Sequence, residues 1–516
     1  MSRKVNSNSE QVHTFNIKGV DLAYDAATGS LHKLDPVGRR VLDYCLSEGV
    51  DLSRPELHRS ELQRCISRLS PAFSPEEIEE AWNEIRLLAG KSLWGEDETA
   101  KKSESIYTDV AAAEPAAEPA AESAAEPAAT EPADEVEGYA NDRVCPVDLP
   151  PPKAMCLNVA HDCNLVCRYC FASQGRFGGN PMLMSAETAR RAIDFLIDGS
   201  GSRRYLDVDF FGGEPLLAFD AVKDAIFYAS RQGQKRGKEF RFTITTNCTL
   251  LSKDIIDFLN QWNVSVILSL DGRPETHNRM RKYREGGQSH DDAIRNALKL
   301  VESRNGTDYY IRGTYTRYNL DFYNDVKYLY DAGFRRLSLE PVVGVDADWA
   351  IRAEDLAALE QSYLHLVDFW QECFAKGDPL EFYHFEIGLT HGVCAERRTT
   401  GCGAGYEYLA VTPEGDIYPC HQLVGQNEFA MGSIFAPSYS KMSALGKRFY
   451  DARVPNKPTC KECWARYLCG GGCHAGALGS TGNIMKPDPL SCSIMKLRLE
   501  FALYIQYLKL SAGILN

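Results

Sequence analysis

Between residues 150 and 345 one pattern recurs: a short apolar run, a polar turn, then a longer stretch whose apolar residues return every three or four positions. The short runs are AMCLNVA (154–160), LDVDFFG (206–212), FTITTN (242–247), VSVILSL (264–270), YYIRGTYT (309–316) and RRLSLEPV (335–342). Runs of this length and composition predict strands, and the amphipathic stretches between them predict helices. Strands alternating with helices run parallel and are buried on both faces, which predicts an α/β fold of barrel type. Six units fall short of the eight of a closed barrel, so the expectation is a partial (β/α)6 barrel.

Upstream the pattern differs. VHTFNI, VDLAYDAA and GSLHKLD read as three short strands with turns at Gly19 and Gly29. DPVGRRVLDYCLSEG begins with Asp35 as N-cap and Pro36 in the first turn, and stops at Gly49. SPEEIEEAWNEIRLLAG repeats that logic from Ser74 and Pro75. Strands followed by helices within residues 1–95 predict a winged-helix-like module, with Cys45 and Cys65 in its core. Its helices are not basic, so an edge strand that captures an extended peptide is a better use of the sheet than DNA binding.

Residues 96–142 fit neither pattern. AAAEPAAEPAAESAAEPAATEPADE is low in complexity, and Pro115, Pro119, Pro127 and Pro132 interrupt any helix. Such a segment buries too little apolar surface to fold, and reads as a disordered acidic linker spanning on the order of 40 Å or more.

Composition changes the picture in three ways. The 516 residues are 44% hydrophobic, enough for several cores. No run of 18 apolar residues occurs, and MSRKVNSNSEQVHTF lacks an apolar signal region, so a cytoplasmic protein without a membrane partner is expected. In a reducing compartment, 17 cysteines argue for metal or redox chemistry over disulfides. Of the net charge of −14, residues 96–140 carry −11 from 13 acidic and 2 basic side chains. The remaining −3 offers no basic patch for nucleic acid.

The candidate chemistry clusters after the predicted strands, where a parallel barrel forms its site. AHDCNLVCRYCFAS follows the first strand and holds Cys163, Cys167 and Cys170 in a C-x3-C-x2-C spacing. GGEP (212–215) follows the second strand, Asn247 ends the third, and Ser269 and Asp271 end the fourth. A structural zinc site closes with four ligands, whereas three thiolates on a [4Fe–4S] cluster leave one iron open. No fourth cysteine lies nearby, and His161 is too close to Cys163 for an ordinary knuckle. Toward the C-terminus come Cys402, then Gly415 and Cys420 separated by four residues. Cys460, Cys463, Cys469 and Cys473 follow in a C-x2-C-x5-C-x3-C spacing, and Cys492 lies beyond. A zinc ribbon is the plainer source of a C-x2-C pair.

The first motif, with its aromatic before the last cysteine, resembles the signature of the radical S-adenosylmethionine (SAM) superfamily. The resemblance implies that Cys163, Cys167 and Cys170 hold a catalytic [4Fe–4S] cluster that binds SAM. It further implies that Tyr169 packs beside the adenine, and that Gly212, Gly213 and Glu214 receive the SAM amino group. Asn247, Ser269 and Asp271 match positions that hold the ribose hydroxyls, and Arg312 is the candidate for the SAM carboxylate, with Arg281 as rival. The C-terminal spacing resembles the SPASM domain, which holds two auxiliary [4Fe–4S] clusters. In that family's interleaved order, Cys460, Cys463, Cys469 and Cys492 hold the second, while Cys402, Cys420 and Cys473 hold the first and leave an iron open. Cys394 closes that set if it binds. Cys145, Cys156, Cys248 and Cys373 have no motif context and are expected to be small buried residues.

The implied organisation is a peptide-recognition module (1–95), the linker (96–142), a radical SAM partial barrel (143–345), a bridging region (346–395), a SPASM domain (396–492) and a C-terminal helix (493–516). LNVAHDCNLVCRYCFASQGRFGG and GCGAGYEYLAVTPEGDIYPCHQLVG look closely like the maturases of six-cysteine SCIFF peptides, whose products, the ranthipeptides, carry Cys-to-Thr thioether links. That resemblance implies a ribosomally made Cys-rich precursor peptide bound by its leader, an auxiliary cluster that takes the substrate thiolate, and an electron donor such as flavodoxin or ferredoxin. Formylglycine formation of the sulfatase-maturase type, epimerisation and carbon–carbon cross-linking fit the same domains, and an iron–sulfur redox sensor or regulator is the alternative from another class.

Overall fold

The computed structural model describes residues 12–50, 58–88, 149–344, 347–390, 394–395 and 398–514. The expected linker and Cys145 lie outside the described residues.

The N-terminal module is an antiparallel meander of β1 (Val12–Ile17), β2 (Val20–Asp25) and β3 (Ser30–Leu34), followed by α1 (Pro36–Glu48), α2 (His58–Leu69) and α3 (Pro75–Leu88). Left-handed Gly19 and Gly29 make the two turns, at φ 79° and 77°. The Asp35 carboxylate accepts the Gly38 N–H, and left-handed Gly49 ends α1. Ser74 and Glu77 form a reciprocal capping box on α3. Helix α2 is an addition to the sequence expectation. Its polar stretch HRSELQRCISRL buries only Cys65 fully, and that single stripe packs beside α3.

The module has two apolar faces. Val12 and Ala23 face α1 and α3, where Cys45, Cys65 and Trp82 are buried. Phe15, Ile17, Leu22, Tyr24 and Leu31 join a core that includes Leu468 and Leu499, and β1 and β3 lie against the C-terminal helix (Pro489–Ser511). His13 stacks on Trp464 at 4.0 Å between ring centroids and bonds Glu500 at 2.7 Å. Each buried large apolar side chain contributes about 1.5–3 kcal/mol, against about 0–1 kcal/mol for an exposed pair such as Lys18 with Asp368. The module is therefore held mainly by its apolar face.

The six predicted strands are β4 (Ala154–Ala160), β5 (Tyr205–Gly212), β6 (Glu239–Thr246), β7 (Ser265–Leu268), β8 (Tyr309–Tyr315) and β9 (Arg336–Pro341), all parallel. The intervening helices are α4 (Ala186–Gly199), α5 (Phe219–Arg236), α6 (Lys253–Gln261), α7 (Pro274–Met280), α8 (His290–Ser303) and α9 (Tyr323–Asp331); α10 (Leu356–Ala375) follows β9. Met155, Leu157 and Val159 of β4, and Leu206, Val208 and Phe210 of β5, belong to the main apolar core under the helices. Strand alternation puts Cys156, Asn158, Asp209 and Phe211 on the opposite, inner face.

Three further strands extend this sheet. β10 (Glu381–Phe382) pairs parallel with β9 at one edge; beyond it lie the short strands β11 (Leu389–Thr390) and β12 (Cys394–Ala395). At the other edge β13 (Tyr408–Val411) pairs parallel with β4 in the register Tyr408 to Ala154 through Val411 to Leu157, and β14 (Ile417–Tyr418) pairs antiparallel with β13. The result is a nine-stranded, mostly parallel sheet, in which the C-terminal cysteine region shares hydrogen bonds with the first barrel strand. The C-terminal helix begins at Pro489, before the expected 493, so Cys492 lies in its first turn. Among the described residues, no helix is long and apolar enough to cross a membrane.

Trp464→Ala removes the ring between His13 and Tyr24. Amide exchange across residues 12–34 is expected to rise about tenfold or more, consistent with losing an aromatic contact and its buried area. Exchange in β5 and β6 is expected to stay unchanged in the same hydrogen–deuterium experiment.

Candidate functional site

The loop after β4 carries the three closely spaced cysteines. Buried Cys163 lies close enough to Cys167 and Cys170 for their charges to interact, and burial pushes the Cys163 thiol up to about 12 and the Cys167 thiol to about 11. Ionising such thiols requires a bound cation in place of their protons. The segment after α7 walls the loop on one side. Val166 and Arg168 donate N–H bonds to the Lys282 and Met280 carbonyls, and Arg284 donates to the Asp162 carboxylate and the Cys163 carbonyl at 2.7 and 2.6 Å.

The two glycines after β5 let the rim touch this loop backbone to backbone. Gly213 donates to the Ala160 carbonyl at 2.7 Å, and Glu214 donates to the Asp162 carbonyl at 2.9 Å. A Cβ on Gly213 would stand 2.1 Å from the Asp162 carbonyl oxygen, and one on Gly212, at φ 133°, would stand 2.3 Å from that of Ala160. The GG pair is thus required by packing, whatever ligand it also approaches.

Glu214 is fully buried. Its carboxylate accepts from Thr246 Oγ1 and Asn247 N at 2.8 Å each and from Leu216 N at 3.1 Å, which ties the ends of β5 and β6. Burial nevertheless pushes its carboxyl up to about 7. The Asn247 amide bonds Asn164 at 2.9 Å and reaches Cys163 Sγ at 3.8 Å. Asp271 is also fully buried: Oδ2 accepts from Tyr169 OH and from Arg281 Nε, and Oδ1 accepts from Thr314 N. Ser269 is half-buried just before it on the same rim. The structure therefore brings Tyr169, Gly212, Gly213, Glu214, Asn247, Ser269 and Asp271 to one rim beside the three thiols. Glu214, Asn247 and Asp271 are each engaged with protein groups.

Arg312 and Arg281 part company. The Arg281 guanidinium lies 5.4 Å over the Tyr169 ring, and its charge acts on Cys167. Arg312 is exposed on the inner face of β8, and its charge acts on Glu340, His384 and His421. Glu340 bonds Arg498 at 3.1 Å and His384 at 3.2 Å, which hold its carboxyl far below the usual range despite burial. His421, next to Cys420, bonds Tyr408 at 3.0 Å, and burial lowers it to about 4.

Sequence reading missed this inner charged group, whose members come from β8, β9, the segment after β10 and the C-terminal helix. It also missed Asn158, both of whose amide atoms are buried with no hydrogen-bond partner among the described residues. A polar residue inside AMCLNVA was the available signal.

The C-terminal cysteines fall into two neighbouring groups. Cys402, Cys420 and Cys473 lie within mutual electrostatic reach, and so do Cys460, Cys463, Cys469 and Cys492. Cys394 pairs through its backbone with Thr390; its side chain is outside the described residues. Cys156, Cys248 and Cys373 are buried, as expected. Among the described residues, no three Cys, His, Asp or Glu side chains are placed to hold one metal ion. The donor sets, all thiol and three or four strong, have the chemistry of iron–sulfur ligation, in which each thiolate binds a different iron.

Residues 157–316 match the radical SAM superfamily, and residues 402–464 match SPASM, an iron–sulfur cluster-binding domain. The chain is 27% identical over 357 residues to the mycofactocin maturase MftC of Mycolicibacterium smegmatis, covering 66% of this chain and 83% of that one. It is 24% identical over 342 residues to a cysteine-type anaerobic sulfatase-maturating enzyme of Clostridium perfringens (63% and 90% covered), and 23% identical over 381 residues to the radical SAM cyclopropyl synthase TigE of Paramaledivibacter caminithermalis (67% and 73% covered). A solved structure, native anSMEcpe with bound AdoMet, shares the fold at TM-score 0.59 and 21% identity over 69% of this chain and 99% of that one. The chain thus carries a radical SAM domain and a SPASM domain, which make it an enzyme and imply a SAM-binding [4Fe–4S] cluster and auxiliary clusters.

Two outcomes follow for the rim. Gly213→Ala forces the Asp162 carbonyl away, and total iron per chain is expected to fall toward the level of a variant lacking Cys163, Cys167 and Cys170 while the fold persists by circular dichroism. Glu214, with its carboxyl raised in the folded chain, favours the folded state most below about pH 4.5 and loses that advantage as pH rises through 7. Without SAM, the parent should therefore lose about 3 kcal/mol relative to Glu214→Gln across that window, and nothing further above it, in denaturant titrations at stepped pH.

Proposed function

We propose that this enzyme installs Cys-to-Thr or similar thioether cross-links in a ribosomally made Cys-rich precursor peptide. The observation that carries the reading is the three-thiol set Cys402, Cys420 and Cys473, one short of four among the described side chains. A cluster held by three protein thiols suits a substrate that brings its own thiol. The segment holding Cys402 and Cys420 is one of the two that look closely like the SCIFF-peptide maturases.

Cys163, Cys167 and Cys170 would hold the SAM-binding cluster, and with SAM bound that site supplies a 5′-deoxyadenosyl radical that takes a hydrogen atom from the acceptor residue. Gly212, Gly213 and Glu214 would receive the SAM ammonium, which a buried carboxylate pairs with strongly. Tyr169 would pack beside the adenine, and Asn247, Ser269 and Asp271 would hold the ribose hydroxyls. For the SAM carboxylate the packing favours Arg281 over Arg312, since Arg281 lies against Tyr169. Arg312 and the Glu340 group are left to orient the peptide inside the barrel. Cys460, Cys463, Cys469 and Cys492 would hold the second auxiliary cluster.

An edge of the N-terminal sheet would add the leader as a strand. The tether then makes delivery of the core peptide intramolecular. Each link breaks one S–H and one C–H bond and forms one C–S bond. One hydrogen atom leaves with 5′-deoxyadenosine, and a proton and an electron leave separately, the electron toward an auxiliary cluster. A donor such as flavodoxin or ferredoxin would start the cycle.

Anaerobic incubation with SAM, reductant and a leader-bearing Cys-rich peptide, read by mass spectrometry, should show loss of two hydrogens per link and fewer alkylatable thiols after reduction. Cys163→Ala should abolish 5′-deoxyadenosine, and Cys402→Ala should cost cross-linking at least tenfold more than SAM cleavage. An unchanged peptide mass beside abundant 5′-deoxyadenosine, or sulfur replaced by oxygen at cysteine, would overturn the thioether reading in favour of epimerisation or formylglycine formation.

A further inference from the structure

Lys457 is fully buried, with none of its surface exposed. It caps the short helix that carries Cys460 (Pro458–Lys461), and its Nζ donates to the Gly471 carbonyl at 2.8 Å, in the loop between Cys469 and Cys473. Gly471 is left-handed at φ 89°, which turns that carbonyl-bearing loop around the amine. Burial by itself disfavours the Lys457 ammonium; the groups whose charges favour it are Cys460, Cys469, Cys473 and Cys492, and its own charge acts on His474. Among the described residues no carboxylate pairs with it. Cys460, Cys469 and Cys492 belong to one auxiliary set and Cys473 to the other, so the amine lies between the two.

A buried ammonium is tolerated only with an anion and with its hydrogens bonded. An ammonium has three donors, and Gly471 accepts from one. The anions within reach are thiolates, and thiols become thiolates when they bind metal. A methionine would fill the same space with no charge, so packing alone does not call for lysine here.

We propose that Lys457 is a positioning residue shared by both auxiliary thiol sets, whose ammonium balances the negative charge of the metal-bound thiolates and so favours the reduced state on both sides. The proposal rests on the reading that the seven cysteines from Cys402 to Cys492 hold the auxiliary clusters. Its physical basis is that reduction adds negative charge, which a fixed buried cation stabilises. It assigns Lys457 no contact with SAM or peptide.

The test is a redox titration followed by electron paramagnetic resonance on the loaded full chain, with Cys163, Cys167 and Cys170 replaced by Ala so that only auxiliary signals remain. Lys457→Met should keep its iron and show a reduction equilibrium at least about tenfold less favourable, about 59 mV lower for one electron. Lys457→Arg, which keeps the charge, should stay within about threefold of the parent, about 28 mV on the same scale. If Lys457→Met sheds iron, Lys457→Gln, a neutral donor, takes its place with the same expected shift. Unchanged potentials in the neutral variant, or equal shifts in the neutral and Arg variants, would overturn the charge-balancing role. Failure of the starting protein to hold any iron would instead overturn the ligand assignment, and the proposal with it.

Discussion

The parallel pairing of β13 with β4 is the constraint on which the rest of the molecule depends. Four residue pairs, Tyr408 to Ala154 through Val411 to Leu157, make the C-terminal cysteine region an extension of the barrel sheet. β4 leads directly into the Cys163 loop, and β13 leads through β14 to Cys420. The two thiol-bearing loops thus leave β4 and β14 of one rigid sheet, with β13 between them. The inner face between them is lined by Cys156, Tyr408 and His421, with Asp209 alongside. A flexible junction could not keep two sites in fixed relation; shared backbone hydrogen bonds can.

The same logic extends outward. The C-terminal helix carries Cys492 in its first turn, Arg498 at the inner charged group and Glu500 at the N-terminal sheet. One helix thus connects an auxiliary thiol set, the barrel interior and the proposed peptide-capturing module. The stack of His13 on Trp464, the residue after Cys463, adds a second connection between the module and that set.

Much of this was legible in the sequence. The barrel strands fall within about three residues of their predicted ends, because buried parallel strands leave apolar runs that few other structures produce. The caps at Asp35 and Ser74 and the turn at Gly29 were legible for the same local reasons, whereas the interleaved cysteine grouping came only with the family resemblance, since Cys473 sits in the C-x2-C-x5-C-x3-C run yet lies within reach of Cys402 and Cys420. What was hidden is non-local. Nothing in YLAV (408–411) tells that it pairs with a strand some 250 residues earlier. Arg312, Glu340, His384 and Arg498 are unremarkable singly and meaningful only where the fold gathers them. Helix α2 was missed because its surface is nearly all polar. The rim motifs show a further gap: the fold gathers them after adjacent strands, yet Asp271 and Glu214 accept hydrogen bonds from the protein itself, which their positions in the sequence do not show.

The central claim is that three separate thiol sets, two of them reached by loops that leave one continuous sheet, each hold a cluster. Iron and acid-labile sulfide per chain, measured after anaerobic reconstitution in the parent and in variants lacking each cysteine set in turn, tests it most directly. The account predicts about twelve irons in the parent and a loss of about four with each set removed, the other two remaining. A parent that saturates at about four irons, or whose iron is unchanged when Cys460, Cys463, Cys469 and Cys492 are replaced together, would contradict it.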